Sequence, residues 1–407
     1  MSTLFFVGLI FVFGSFMKFV SQKLKVLYVV GYLIFGVIIG PDVLNIVPKE
    51  FIYNTHVIIE LSLAIISVLV GANLKYNVLK AQWRQIAIIS LFETFFAFLF
   101  ITIAFYLLFS YLEFGFDKEY RLVVALLFGG LASATAPATI LAITHELKFK
   151  NRFGSFLLGT VAMDNAFALI AFSFISMITD TLLSTYGFKI ENFLILIPKT
   201  FFAIIIGAVG AAISVMIDNI FKNYSSIKTT STLGMIFMVY ALAEYWRLEP
   251  LLSALVMGIV MANLSKEFFL VKKEFDRHLK DIIFLLFFTI SAMHLNLEFL
   301  ITMPTVVIVY VLSRIIGKIF GVYVGGKVSD STRFIQKNLG IALFPQAGIA
   351  IGLALSMQSE IYLEPIAPII VNVIIATTIV HELLGPFFTR YILKKSEKQI
   401  HNNPIVH

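Results

Sequence analysis

The sequence predicts an all-α polytopic membrane protein with about 13 transmembrane helices. Three observations carry that expectation. Of 407 residues, 59% are hydrophobic and 14% charged, whereas a soluble chain carries about 25% charged residues. Apolar runs of about 20 residues, long enough to cross bilayer hydrocarbon, recur from one end to the other. The lysines and arginines sit in short clusters between those runs. A net charge of +7 is therefore better explained by membrane topology than by nucleic-acid binding. With no cysteine in the chain, a disulfide framework, a thiol nucleophile and a cysteine-based metal site are excluded.

In order, the first run at 3–20 lacks a basic leader and an obvious small-residue cleavage site, so it reads as a retained span rather than a signal peptide. Spans follow at about 26–46, 56–74 and 85–112. The fifth, 120–145, is interrupted at Thr135 and Pro137. The sixth, 153–183, carries Asp164 and Asn165 side by side. Spans at 193–217, 228–246 and 249–264 come next, the last two parted only by "EYWRLEP". The tenth covers 276–297, and the eleventh, 300–326, holds Arg314 and Lys318. The twelfth, 335–358, is interrupted at Pro345 and Gln346. The thirteenth runs 364–391, leaving a short tail at 394–407.

Orientation follows from the positive-inside rule. Of 31 lysines and arginines, only Lys49, Lys118, Arg121, Lys189 and Arg247 fall on one set of alternate loops. Lys199, Arg314 and Lys318 lie inside spans, and all the rest fall on the opposite set. That places the N-terminus outside and the C-terminus in the cytoplasm, which an odd number of spans satisfies.

Helix rise then gives depth. Asp164, Lys318, the break at Thr135–Pro137 and the break at Pro345–Gln346 all fall roughly 12–17 Å from the inner surface. The broken fifth and twelfth spans are the middle members of two helix triads running in opposite directions. Such an inverted repeat, with broken helices in matching positions, points to the binding site of a secondary transporter. Proline at the breaks frees backbone carbonyls, which only a protein-lined or water-lined cavity can satisfy. An acid at that depth is a functional candidate by default.

Several stretches carry a family resemblance. "GYLIFGVIIGPDVLNIVP", "LVGANLKYNVLKAQW", "RLEPLLSALVMGIVMAN", "FFTISAMHLNL", "RIIGKIFGVYVGG", "LGIALFPQAGIAIGLAL" and "TTIVHELLGP" occur in the order found in the monovalent cation/proton antiporter superfamily. The resemblance is to its second, Kef- and Nap-like branch. It implies a core (about 85–183 and 300–391) that moves against a dimerising scaffold (about 3–74 and 193–297), within an exchanger domain of 1–393. It implies exchange of sodium or potassium for protons by alternating access. By position, the sixth-helix acidic pair corresponds to Asp164 and Asn165, and the buried counter-ion to Lys318. The helix crossing corresponds to Thr135, Ala136 and Pro137 with Pro345 and Gln346. Members of the branch usually show Asp-Asp where this chain has Asp-Asn; an amide can coordinate through its oxygen but neither titrates nor adds charge.

Lys318 is thus expected to pair with Asp164, while Arg314, four residues earlier on the same face, competes for the role. Glu93, about eight residues into its span, is a candidate second acid. Glu60 and Glu382 are expected to be structural. His145, His278 and His294 show no metal-ligand spacing; no cofactor is implied, and no residues support an enzyme. The alternative to antiport is proton-uncoupled cation or solute transport on the same fold, motivated by Asn165. Expected partners are the cation, protons, lipid and a second copy of the chain, in a bacterial plasma membrane.

Overall fold

The computed structural model describes residues 3–24, 26, 28–76, 80, 82–111, 118–147, 152–183, 196–221, 224–265, 267–359, 363–364 and 366–402. The helices run in order α1 (Thr3–Lys23), α2 (Tyr28–Ile39), α3 (Lys49–Tyr53), α4 (His56–Gly71), α5 (Trp83–Tyr111) and α6 (Lys118–Gly130). Next come α7 (Pro137–Glu146), α8 (Arg152–Leu183), α9 (Leu196–Ile220), α10 (Ser225–Tyr245), α11 (Pro250–Leu264) and α12 (Phe268–Glu274). The last are α13 (Lys280–Ala292), α14 (Leu297–Thr302), α15 (Pro304–Val328), α16 (Arg333–Ala342), α17 (Gly348–Ser356) and α18 (Ala367–Asn402). A π turn, Phe275–Leu279, joins α12 to α13.

Among the described residues, seven helices are long and apolar enough to cross a bilayer: α1, α5, α8, α9, α10, α15 and α18. The other expected spans are the shorter α2, α4 and α11, the joined α12–α13, and the two broken helices α6/α7 and α16/α17. Boundaries move in two informative places. The second span was expected to reach 46 but stops at Ile39, because Pro41 disfavours helix at the residue before it. The last helix was expected to end at 391 but continues to Asn402 with Pro386 inside it. A proline removes one backbone bond and here does not end the helix. The start of the expected tail is therefore helical.

Contacts divide the chain into two compact units. One comprises Met1–Lys75 and Phe188–Leu297. Its core packs Val68 of α4 against Met257 and Met261 of α11, with Ile236 of α10 and Phe275 of the π turn. Its ion pairs include Lys18 with Asp281, and the buried Lys228 with Glu267 at 3.0 Å. Glu60, expected to be structural, accepts from His56 at 3.1 Å.

The other unit comprises Tyr76–Gly187 and Glu298–His407. Its central contact is α5 against α15, which run antiparallel. Gly317, Gly321 and Gly325 form a stripe at four-residue spacing on α15. A Cβ at those positions would lie 2.8, 2.6 and 2.9 Å from the Cα atoms of Ala97, Glu93 and Ile89. Small residues at such spacing let two membrane helices approach backbone to backbone. This stripe brings Glu93 of α5 beside the polar face of α15.

A methyl at the tightest of these points should drive the helices apart. Gly321→Ala is expected to lower the melting temperature in detergent, since overpacking costs about 1–3 kcal/mol. Gly234→Ala is the control: nothing lies within 4 Å of its Cβ position, and alanine is favoured over glycine in a helix interior by roughly 0.5–1 kcal/mol, so melting should hold or rise. Thermal unfolding of both variants side by side checks the pair.

Candidate functional site

The first broken helix is unwound between Gly130 and Pro137, the second between Ala342 and Gly348. Pro137 opens α7, a position where a missing N–H leaves no bond unmade. The two unwound segments cross as an isolated antiparallel bridge between Thr135 and Gln346. Ala136 N donates to Pro345 O at 3.3 Å, and Ala347 N to Ala134 O at 3.2 Å. Thr135, Ala136, Pro137, Pro345 and Gln346 are thereby brought to one place.

A crossing of this kind strands carbonyls that a helix would have satisfied, and an unsatisfied carbonyl is costly away from water. One face of α15 meets that demand. Tyr310, Arg314 and Lys318 recur every four residues, so they line a single face. The Tyr310 hydroxyl lies 3.4 Å from Leu131 O and accepts from Gln346 Nε2 at 3.1 Å. The Arg314 guanidinium, fully buried, donates to Ala132 O at 2.7 Å, Phe344 O at 2.8 Å, Ala134 O at 2.9 Å and Pro345 O at 3.4 Å. Lys318 Nζ donates to Ser133 O at 2.7 Å and to Thr135 Oγ1 at 2.9 Å. Arg314 was expected to compete for the lysine's ion-pairing role. Its rigid fork is instead spent on the carbonyls of both segments, a task a point-charge ammonium cannot perform.

The acids converge on Lys318. Glu93 Oε1 accepts directly from Lys318 Nζ. Asp164 Oδ2 lies 3.9 Å from the same nitrogen and accepts from Thr135 Oγ1 at 3.1 Å. The expected pairing of Lys318 with Asp164 is present, and Glu93, the candidate second acid, joins it and holds the ammonium more closely. The glycine stripe that admits α5 is the physical reason. Asn165 donates from Nδ2 to Thr135 O and Val161 O, both at 2.7 Å. That bond satisfies one more carbonyl of the crossing. Among the described residues, Asp164 Oδ1, Asn165 Oδ1, Ser133 Oγ and Glu93 Oε2 are buried oxygens with no hydrogen-bond partner. Of these, the adjacent Asp164 and Asn165 offer hard oxygens, one charged and one neutral, of the kind that suits a small cation.

The remaining candidates lie elsewhere. Glu382 of α18 accepts from Thr139 of α7 at 2.7 Å and is buried. His278 pairs with Glu274 at 3.3 Å on α12 and the π turn. His294 Nδ1 lies 3.1 Å from Ile290 O. The His145 side chain lies outside the described residues.

The transmembrane sodium/hydrogen exchanger model matches residues 7–390. The chain belongs to the sodium/hydrogen exchanger family. Its fold is similar to that of MjNhaP1, the sodium proton antiporter from Methanocaldococcus jannaschii. The structure of that antiporter at pH 8 superposes with a TM-score of 0.74 at 18% identity, covering 98% of this chain and 96% of that one. A second structure of it, from electron microscopy, gives 0.72 at 19% identity, covering 99% and 97%. The sodium/hydrogen exchanger family consists of secondary transporters of the membrane, not enzymes.

Arg314→Lys keeps a charge on α15 but loses the fork, leaving buried carbonyls at the crossing unmet at about 1–3 kcal/mol each. The variant is expected to melt at a clearly lower temperature than wild type in detergent. Equal melting of the two would show that the carbonyls find donors without the guanidinium.

Proposed function

We propose that this exchanger trades a monovalent cation, sodium foremost, for protons, with Asp164 holding either one. The observation that carries the reading is the Asp164 carboxyl: 0% exposed, bound to Thr135 and bearing one oxygen without a partner. An ionised carboxylate is a hard ligand for a cation, and the same group carrying a proton is neutral. Cation and proton therefore compete for one group, which is the elementary condition for antiport. Asn165 and Thr135 supply neutral oxygens beside it, and Lys318 supplies a fixed positive charge.

The cycle runs by alternating access. Helices of 85–183 and 300–391 carry the crossing and move against a scaffold of 3–74 and 193–297, through which two copies pair. The loop charges support an N-terminus outside and a cytoplasmic C-terminus, in a plasma membrane of bacterial type. Potassium is the second cation this oxygen set would accept. The rival reading is proton-uncoupled transport, and its support is Asn165, an amide where the branch usually has its second acid.

Proteoliposomes holding a pH dye separate the readings. A sodium gradient across wild-type liposomes is expected to drive a pH change; sodium flux without one would favour the uncoupled transporter. Asp164→Asn should abolish exchange while inserting normally, because losing a buried charge does not impair insertion. Retained proton-coupled flux in that variant would remove Asp164 from the site. Asn165→Asp is expected to lower the sodium concentration for half-maximal exchange, since a second carboxylate strengthens a hard-cation site.

A further inference from the structure

We infer that Glu93 is the standing counter-charge of Lys318, leaving Asp164 as the single exchanging carboxylate and making transport one cation for one proton, without net charge movement. The inference deepens the proposed exchange and rests on it. Glu93 sits on α5, outside the acidic pair of α8 and outside both broken helices. It is fully buried, and its Oε1 takes a hydrogen bond from Lys318 Nζ. Asp164 is the second carboxylate near that ammonium, at 3.9 Å. The α5–α15 contact is backbone to backbone at Gly321 and Glu93, so the two chain segments holding this pair are packed directly against each other.

The charges then balance in a definite way. The groups facing the pair are Asp164 on α8 and Arg314 on α15, with Glu382 and His381 of α18 beyond Arg314. Arg314 is fixed on four carbonyls. Glu93 and Lys318 cancel each other. One carboxylate is left to change its occupant: a proton leaves Asp164 for water as a cation arrives, and the reverse on the other side. Every loaded state therefore carries the same charge.

Were Glu93 a ligand of the transported ion, its neutralisation could not be repaired by altering the lysine. Were it the lysine's counter-charge, it could. Removing one member of a buried pair leaves the other unbalanced, whereas replacing both is tolerated. In Glu93→Gln, Asp164 becomes the nearest carboxylate left to Lys318, so the ammonium competes with the cation.

The test uses full-length protein in proteoliposomes with sodium as the cation, a pH dye and an imposed membrane potential. Wild-type exchange is expected to proceed at the same rate whatever the potential. Glu93→Gln should raise the apparent KM for sodium at least about tenfold. The double variant Glu93→Gln, Lys318→Gln, whose second amide can still donate to Ser133 O and Thr135, should recover most of that loss. If the single variant fails to fold, the double variant alone decides. A double variant that folds but does not exchange would overturn the inference, as would a Glu93→Gln protein that behaves like wild type. A wild-type rate that follows the potential would also overturn it. A wild type that exchanges nothing would remove the underlying antiport reading, and the counter-charge role with it.

Discussion

Everything at the centre of the second unit depends on finding donors for carbonyls that two broken helices leave behind. In hydrocarbon each unmet polar group costs several kcal/mol, so the break at 131–136 could not persist without α15. That helix answers residue by residue: Tyr310 reaches Leu131, Arg314 reaches Ala132 and Ala134, and Lys318 reaches Ser133. Asn165 then takes Thr135 O. The polar side chains are thus fixed by structural duty before any transport role is considered. This is why the position and orientation of Lys318 are so well determined: one side of it holds the backbone, and the other faces the acids.

The same duty explains how an amide sits where an acid was expected. A carboxylate at 165 is acceptor-only when ionised and could not donate to Thr135 O; an amide does so and keeps an acceptor oxygen that, among the described residues, has no hydrogen-bond partner. In exchange for a charge, the chain gains a donor to the crossing. Asn165 is therefore held in place by the scaffold of carbonyl bonds, whatever its oxygen does in transport.

The helix order, the two breaks and the depth of Asp164 and Lys318 were legible because hydropathy and proline act locally. The long reach of α18 through Pro386 was not, since a proline weakens a helix without having to end it. That Glu93 would hold Lys318 more closely than Asp164 does was not legible, for a different reason. Depth alone matched Asp164 and Glu93 about equally well, each lying near the same level as the lysine. What separates them is the approach of α5 to α15, set by Gly317, Gly321 and Gly325, and a glycine spacing seen in one helix does not say which neighbour it admits. Arg314 was legible as a buried charge but not as a donor to four carbonyls, because those carbonyls come from segments 180 and 30 residues away.

That separation along the chain bears on how the protein is made. Glu93 and Lys318 are 225 residues apart, so at about 5–20 residues per second the acid leaves the ribosome roughly 10–45 s before its cation exists. During that interval α5 and α8 carry Glu93 and Asp164 into or beside the bilayer with neither Lys318 nor Arg314 to meet them. An ionised acid cannot rest cheaply there. Those helices must therefore wait at the membrane surface, travel with their carboxyls protonated, or be shielded by the insertion machinery until α15 arrives. The arrangement that makes the finished site compact makes its first half an orphan during synthesis.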